Sequence, residues 1–307
     1  GGPGRLVYRR HGVGGRGNDR AEFCDSRSPV KIRKGERAVA RLLLVLRYLG
    51  TRYHGWQVQQ NAITVQEVLQ DAVESITGDR SGITGCSRTD AGVHAEMYCC
   101  AFDTASPLRG RKMAQALNAR LPRDIAVYGC REVPAGFHPR YAAAGKRYVY
   151  RIWNAPERNP FWEERSLHVR VPLDAERLDA AARDFMGTHD FAACRASDPH
   201  RMGPVTEDTE RTVTFSRVHR REEEPQMVEF TVEADGFLYN MVRIMAGTLL
   251  DMASGRLPWD AIPAGLARRD RLRMGATAPA KGLSLVRVRY PAAAFLWEGA
   301  EEESVKN

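Results

Sequence analysis

The sequence lacks several features that would assign it to common protein classes. Its 307 residues contain no run of 18 or more apolar residues, so we expect no membrane-spanning helix and no membrane contact. The six cysteines form no CxxC pair, and no Cys or His pair has the spacing of zinc ligands. Phosphate-loop and GxGxxG patterns are also missing, which argues against a nucleotide-driven enzyme. No signal-peptide pattern is visible, so we expect reduced thiols and a cytoplasmic protein.

Positive charge is spread unevenly along the chain. The net charge is +8, with +6 in residues 1–37 and −3 in residues 298–307, which leaves +5 between them. A mildly basic body suits a polyanionic partner without requiring one. Residues 1–37 are rich in Gly and Arg and lack periodicity, so we predict a disordered tail. We favour a cloning remnant or a start site assigned too far upstream over a nucleic-acid-binding arm or a mitochondrial transit peptide.

Hydrophobic periodicity predicts alternating strands and helices. Residues 64–77 have the apolar spacing of a helix, with Thr64 and Glu67 as a capping box and Gly78 at its end. Further helices are predicted at 107–121, 174–186 and 239–253, and strands at 42–48, 97–102, 125–133, 146–153, 212–218 and 227–233. The Pro-rich loop at 154–160 then separates two similar α+β halves that share one sheet. The predicted organisation is an N-terminal half at 38–153, a C-terminal half at 161–292 and an acidic tail at 293–307.

Residues 85–95, with the sequence GCSRTDAGVHA, carry the strongest functional signal. Small and polar residues, with no bulky apolar one before Val93, predict a tight exposed turn. The turn holds one acid, Asp90, close to Arg88, and a carboxylate beside a guanidinium can stay ionised and accessible. The same spacing also fits a structural Asx-turn, in which Asp90 caps its own backbone.

This stretch resembles the catalytic signature G-R-T-D-A-G-V-H-A of the TruA-type tRNA pseudouridine synthases. Other segments resemble further motifs of that family, in the family's order, and span roughly residues 40–290. They are RYLGTRYHGWQ at 47–57, FHPR at 137–140, KRYVYR at 146–151, GTHDF at 187–191, FLYNMVR at 237–243 and TAPAKGLSLVRVRY at 277–290. The chain departs from the pattern at Ser87, where the family has Gly, and at 191–194, which read FAAC where an aromatic often closes the motif.

The resemblance implies a fold, an activity and partners. The implied fold class is α+β, with two RRM-like halves whose antiparallel sheets are joined, helices packed on one face and an active-site cleft between the halves. The implied activity is isomerisation of uridine to pseudouridine in the anticodon stem-loop of tRNA, at nucleotides 38 to 40. One catalytic aspartate performs it without a cofactor or a metal. The implied partners are tRNA and a second copy of the chain in a homodimer.

The matched motifs also imply roles for single residues. Asp90 corresponds to the catalytic aspartate, Tyr148 to the residue that stacks on the uracil and can move a proton, and Leu238 to a wall of the pocket. Arg88 would fill the gap left by a flipped base or bind its phosphate. Ordinary roles compete: Tyr148 and Leu238 also suit core packing, and Arg88 suits a solvated turn. His94, which follows the turn, is expected to be packed or hydrogen-bonded rather than a base.

Arg243 is predicted to meet an acid. Its neighbours in the helix at 239–253 are apolar, and an arginine there is costly unless its charge is compensated. The resemblance makes Asp90 that acid, and the alternative is a guanidinium that reaches the surface. Four more cations with aromatic residues between them are candidates for RNA backbone contacts, or for a solvated face: Arg52, Arg140, Lys146 and Arg147.

Three hypotheses for the function remain open. The first is the tRNA pseudouridine synthase, with a synthase of another RNA target as its variant. The second is an RNA chaperone without chemistry, which would have no reason to hold Asp90, Tyr148 and Arg243 together. The third is a hydrolase that uses Asp90 as nucleophile on a glycosidic bond. It would need a second carboxylate as general acid, for which Glu96 and Asp103 are nearest in sequence.

Overall fold

The computed structural model describes residues 38–197 and 208–295. The predicted tail at 1–37 and most of the acidic tail at 293–307 lie outside the described residues. Within those residues, no helix is both long and apolar enough to cross a membrane.

Ten strands of the described chain form one mixed sheet. Their bounds are β1 Ala40–Tyr48, β2 Thr84–Gly85, β3 His94–Thr104, β4 Ile125–Val133, β5 Gly145–Asn154, β6 Leu167–Val169, β7 Gly187–Asp190, β8 Glu210–Arg220, β9 Met227–Ala234 and β10 Leu283–Arg289. The strand order is β4-β1-β3-β10-β5-β9-β8-β7, with β2 paired to β3 and β6 paired to β5. With the helices below, this sheet confirms the predicted α+β class.

The described α-helices are α1 Val65–Thr77, α2 Gly110–Asn118, α3 Ala175–Ala182, α4 Met241–Ala253 and α5 Ala261–Arg268. α1 matches its prediction because its end signals are local: Thr64 Oγ1 accepts a hydrogen bond from Glu67 N, and Gly78 ends the helix. α2 is shorter than the predicted 107–121. The helix predicted at 174–186 ends at Ala182 and tightens into a 3-10 turn at Arg183–Phe185.

Three further elements carry little local signal. α5 contains Pro263 and Gly265, which both weaken an isolated helix. A Cβ at Gly265 would lie 2.8 Å from Met274 Cε, so this glycine lets two segments pack closely. β6 and β7 have three and four residues and form because β5 and β8 supply their hydrogen-bonding partners.

β10 joins the N-terminal strands to the C-terminal strands. It pairs antiparallel with β5 but parallel with β3, where Ser284 and Leu285 align with His94 and Ala95. β10 therefore lies between β3 and β5 and runs in the direction of β3. The segment before β3, which contains Asp90, therefore lies beside the segment before β10.

Alternation along β5 separates an apolar face from a charged face. Tyr148, Tyr150 and Ile152 are buried on the first face. α3 and α4 pack on that side. Ser216 aligns with Val232 of β9, and its Oγ donates a hydrogen bond to Ala182 O of α3. α4 contacts β5. The charged face of β5 carries Arg147 and Arg151, which pair with glutamates of β9.

Candidate active site

The connection predicted at 85–95 joins β2 to β3 and contains Asp90, but β3 already begins at His94. The stretch is less exposed than predicted, because Cys86, Thr89 and Val93 are buried. The backbone oxygen of Asp90 accepts a hydrogen bond from Val93 N at 3.1 Å, and Gly92 N donates to Tyr53 O at 3.2 Å. The Asp90 side chain is 21% exposed. The turn therefore holds the carboxylate in a fixed place and leaves part of it open to a substrate.

The segment before α1 supports this turn from behind. A Cβ at Gly55 would lie 2.4 Å from Thr89 O, and the φ of Gly55 is +88°, so only glycine suits this position. Trp56 N donates to the same Thr89 oxygen at 3.1 Å, and Tyr48 Oη lies 2.8 Å from Thr89 Oγ1. Gly55 is a residue of the site that sequence reasoning missed, because its role depends on a contact 34 positions along the chain.

Arg243 reaches the turn from the first part of α4. Its Nη1 lies 3.1 Å from Asp90 Oδ2, and its side chain is 18% exposed. The guanidinium is itself fixed, because Nε donates to Ala278 O at 2.8 Å and Nη1 donates to Asn240 Oδ1 at 2.9 Å. A cation held at this distance favours the ionised form of the carboxylate.

Asn240 and Ala278 are further site residues that the sequence did not single out. Asn240 begins α4 with a φ of +59°, a left-handed conformation that asparagine tolerates better than most residues. This conformation places its amide oxygen against Arg243. Asn240 lies inside the FLYNMVR motif, so the motif match could have marked it, whereas the carbonyl of Ala278 leaves no signal in a side chain.

Tyr148 faces the turn from β5 and is 5% exposed. Its hydroxyl lies 3.2 Å from Ser87 Oγ, and its ring meets Phe237 edge-on, with 5.1 Å between the ring centroids. Burial raises the pKa of the Tyr148 phenol well above its ordinary value, and the charge of Asp90 adds to the rise. The phenol is therefore protonated at neutral pH and can donate a hydrogen bond. Ser87, which departs from the family signature, holds this hydroxyl.

Leu238 and Arg88 are the other two predicted site residues. Leu238 is 8% exposed and precedes α4, where its backbone oxygen accepts a hydrogen bond from Met241 N at 3.1 Å. Arg88 is exposed two residues before Asp90, and within the described parts of the chain its guanidinium has no hydrogen-bonding or ionic partner. Arg88 can therefore move toward a bound ligand without breaking a contact.

His94 has a structural environment. Its Nδ1 accepts a hydrogen bond from Gly50 N at 2.9 Å, and its Nε2 lies 3.1 Å from Lys281 O, so Nε2 carries the proton. Burial lowers the pKa of His94, although the contact with the Lys281 carbonyl opposes that effect. A neutral imidazole with both nitrogens engaged ties β3 to its neighbours, which matches the expected packed role.

Neither acid considered as a second catalytic carboxylate lies beside Asp90. Glu96 Oε1 is 2.8 Å from Arg151 Nη2 on the charged face of the sheet. Asp103 pairs with Arg41 at 2.9 Å near the far end of β3. The described residues also contain no group of three or more His, Cys, Asp or Glu side chains that could hold a metal ion. Neither of these two acids is therefore placed to act as the general acid of a glycoside hydrolase.

Comparison with known proteins gives a consistent set of matches. A profile described as tRNA pseudouridine synthase matches residues 44–142 and 181–291. The tRNA pseudouridine synthase A of Ruminiclostridium cellulolyticum is 44% identical over 250 residues, which cover 81% of this chain and 99% of that protein. The protein of the same name from Acetivibrio thermocellus is 44% identical over 247 residues, covering 80% and 98%. The crystal structure of a Cbf5-Nop10-Gar1 complex matches at a TM-score of 0.32 and 13% identity, covering 83% of this chain and 59% of that chain.

The chain belongs to the tRNA pseudouridine synthase family, and it is an isomerase. The family profile covers more than half of the chain, and both relatives align over nearly their whole length. Asp90, Leu238 and Arg243 lie within the residues that the profile matches, and Tyr148 lies between its two segments.

Proposed function

We propose that this enzyme isomerises uridine to pseudouridine in the anticodon stem-loop of tRNA, at nucleotides 38 to 40, with Asp90 as its catalytic residue. The contact between Asp90 and Arg243 at the tip of the turn carries the proposal. An RNA-binding protein without chemistry has no use for a carboxylate in its groove, because the acid repels phosphates.

The proposed reaction needs one charged carboxylate and no cofactor. It breaks the bond between N1 and C1′, turns the uracil and joins C5 to C1′, while C5 loses a proton and N1 gains one. No electrons are gained or lost, so no redox group is required, and we propose that no metal takes part. Three routes start from ionised Asp90: attack at C1′, addition at C6, and removal of the 2′ proton. Arg243 supports all three because it favours the charged carboxylate.

The other residues divide the handling of the base. The ring of Tyr148 stacks on the uracil, and its protonated hydroxyl is available for the proton exchange at the base. Leu238 forms an apolar wall that excludes water. A base can react here only outside its stack, so exposed Arg88 fills the gap that it leaves or binds its phosphate.

The test is direct conversion of RNA. We expect the purified chain to convert uridines at nucleotides 38 to 40 of transcribed tRNAs, mapped by chemical labelling of pseudouridine, and to do so in the presence of a metal chelator. Conversion at other nucleotides would replace the proposed target with another RNA site. Binding without conversion at any uridine would leave an RNA binder instead of an enzyme.

We also propose, by analogy with the family, that the enzyme acts as a homodimer in the cytoplasm. A dimer would allow one subunit to hold the body of the tRNA while the other acts on the stem-loop. The chain mass is 34.4 kDa, so light scattering should show about twice that mass for a dimer. A mass equal to one chain, or a tagged chain located outside the cytoplasm, would contradict this proposal.

A further inference from the structure

Lys146 lies on the same face of β5 as Tyr148, two residues away along the strand. Side chains at this spacing point to the same side of a sheet and lie about 7 Å apart. Lys146 is 8% exposed, a degree of burial that lysine almost never reaches without an anionic partner. Its position raises the question of what compensates its charge.

No side chain in the described ranges compensates that charge. Lys146 takes part in no ion pair and no side-chain hydrogen bond among residues 38–197 and 208–295. Across the same residues, no fully buried side-chain nitrogen lacks a hydrogen-bonding partner. The ammonium must therefore touch solvent at its tip while its stem is buried, and Cys86 lies close enough to act on its charge.

The charges that act on Lys146 include two cations. Burial lowers the pKa of its amine, the thiol of Cys86 opposes that effect, and the cations Arg140 and Arg211 lower the pKa further. Burial raises the pKa of the Cys86 thiol to about 11, so this thiol carries no charge at neutral pH. Arg211 lies beside the loop that carries Phe237, since a Cβ at Gly236 would be 3.2 Å from its Nε. An ammonium that has a buried stem, cations nearby and no anion of its own favours the binding of an anion from outside.

We propose that Lys146 binds a backbone phosphate of the substrate RNA, at the target uridine or the nucleotide next to it. The proposal rests on the proposed function, because Tyr148 on the same face marks the position of the base. The spacing of about 7 Å between the two side chains fits a base and a phosphate of the same or the adjacent nucleotide. Lys146 is then a binding residue that places the target in register with Asp90.

A combined change of enzyme and RNA tests this contact. Synthetic anticodon stem-loops carry one uncharged methylphosphonate in place of each phosphate that flanks nucleotides 38 to 40, one linkage at a time. For the wild-type enzyme we expect one linkage to lower affinity and kcat/KM by about tenfold. Lys146→Met should show a similar loss on unmodified RNA and no further loss with that linkage. Losses that add, or equal losses at every linkage, would overturn the proposal.

Two matched variants isolate the charge. Lys146→Arg should retain the effect of the linkage, while Lys112→Met should behave as wild type, because Lys112 is an exposed lysine on α2. Without RNA, Lys146→Met should melt at the same temperature as wild type or higher, since it removes a buried charge. A clearly lower melting temperature would show that the ammonium is compensated within the protein, which contradicts the proposal. Lys146→Gln, which is neutral and polar, should give the same result as Lys146→Met in the binding cycle.

The measurement of affinity separates this proposal from the proposed function. Absence of conversion by the wild-type enzyme would refute the function and leave the binding cycle intact. Normal conversion by the wild-type enzyme, together with the same loss at every linkage in Lys146→Met as in wild type, would refute the phosphate contact alone.

Discussion

The two faces of β5 treat charge in opposite ways. On the charged face, Arg147 and Arg151 meet acids of the same chain. On the apolar face, Lys146 has no such partner within the described residues, and the hydroxyl of Tyr148 meets Ser87. Successive residues of one strand thus have different environments. The arginines form ion pairs within the chain, whereas Lys146 is available to a ligand.

The charged face is closed within the chain. Glu233 has a side chain that is 7% exposed and lies between Arg147 Nε at 2.7 Å and Arg289 Nε at 2.6 Å. Arg151 contacts Glu229 at 3.0 Å and Ser284 Oγ at 3.1 Å. Each buried charge there has a hydrogen-bonded opposite charge, which is the arrangement expected for stability.

The site on the apolar side keeps its carboxylate more accessible. Asp90 is 21% exposed, against 7% for Glu233, and lies 3.1 Å from Arg243, a longer contact than those of Glu233. Accessibility costs stability but leaves a carboxylate that a nucleotide can reach. The difference between the faces therefore separates residues whose loss should stop the reaction from residues whose loss should unfold the protein.

The largest expected effect comes from Asp90, the carboxylate of the site beside the apolar face. Asp90→Asn keeps size and hydrogen bonding but cannot act as nucleophile or base, so turnover should fall by at least about a thousandfold. tRNA affinity should stay within a few-fold, as measured by filter binding beside a single-turnover assay. Residual conversion above about a thousandth of wild type would remove Asp90 from the mechanism.

Loss of the cation on the same face should change the pH dependence of the rate. Arg243→Met suits the apolar surroundings of α4, so the fold should persist. Without the guanidinium, Asp90 ionises less readily, so the acid limb of the pH–rate profile should move to higher pH. At low pH we expect a loss of about a hundredfold, with partial recovery as pH rises.

Thermal melts and a full pH profile decide between two roles for Arg243. A profile that runs parallel to wild type, merely lower, would mean that Arg243 acts through positioning or RNA contact. If Arg243→Met melts at a lower temperature than wild type, the pH–rate profile should be measured on Arg243→Lys instead, because that variant keeps the charge.

The charged face should respond in stability instead of rate. Glu233→Gln leaves Arg147 and Arg289 without their shared carboxylate, and we expect unfolding free energy to fall by about 1 to 3 kcal/mol in urea titrations. Both arginines are more than a third exposed, which keeps the loss below that of a fully buried pair. The rate per folded molecule should not change.

A surface pair provides the control for Glu233. Glu132, with a side chain that is 45% exposed, contacts Arg109 at 2.8 Å. Glu132→Gln should lower unfolding free energy by no more than about 1 kcal/mol. Equal losses in the two variants would mean that burial does not distinguish the ion pairs of the charged face.

Local signals explain what the sequence could predict. α1 was predicted closely because its cap, its apolar spacing and Gly78 are neighbours in sequence. The expectation that Arg243 meets an acid required only its apolar helix, and its guanidinium does lie against Asp90. The naming of that acid depended on the family resemblance, because no local pattern relates residues 153 positions apart.

Long-range contacts explain the remainder. The parallel entry of β10 beside β3, the close approach of Gly55 to Thr89 and the orientation of Asn240 toward Arg243 all depend on tertiary packing. The difference between the two faces of β5 could not be predicted either. The sequence KRYVYR shows the alternation of side chains but not which of its cations pair with acids. Lys146 and Arg147 look equivalent in sequence and differ only in the fold.

The smallest expected effect tests the charged side through His94. His94 aligns with Ser284 on the neighbouring strand, and the Ser284 hydroxyl contacts Arg151. The imidazole therefore lies on the same side of the sheet as the ion pairs of the charged face. Burial lowers its pKa below the ordinary value of about 6.5. As pH falls below that value, the unfolded chain takes up a proton that the folded chain still refuses. Stability contributed by neutral His94 is thus present above pH of about 6.5 and is lost as pH falls toward its folded pKa, by at most about 1.4 kcal/mol per pH unit.

The difference between wild type and His94→Asn isolates this contribution from the other histidines. Asn can still accept the hydrogen bond from Gly50 N but does not titrate, so the variant should be less stable at neutral pH and lose less stability on acidification. Urea titrations at several pH values between 5 and 8 measure both slopes. The rate should follow only the folded fraction, because His94 supports the sheet and takes no part in the reaction. A parallel loss in the two proteins would show that His94 is protonated in the fold. A fall in rate per folded molecule would mean that the charged side also serves the reaction, which would break the division between the two faces.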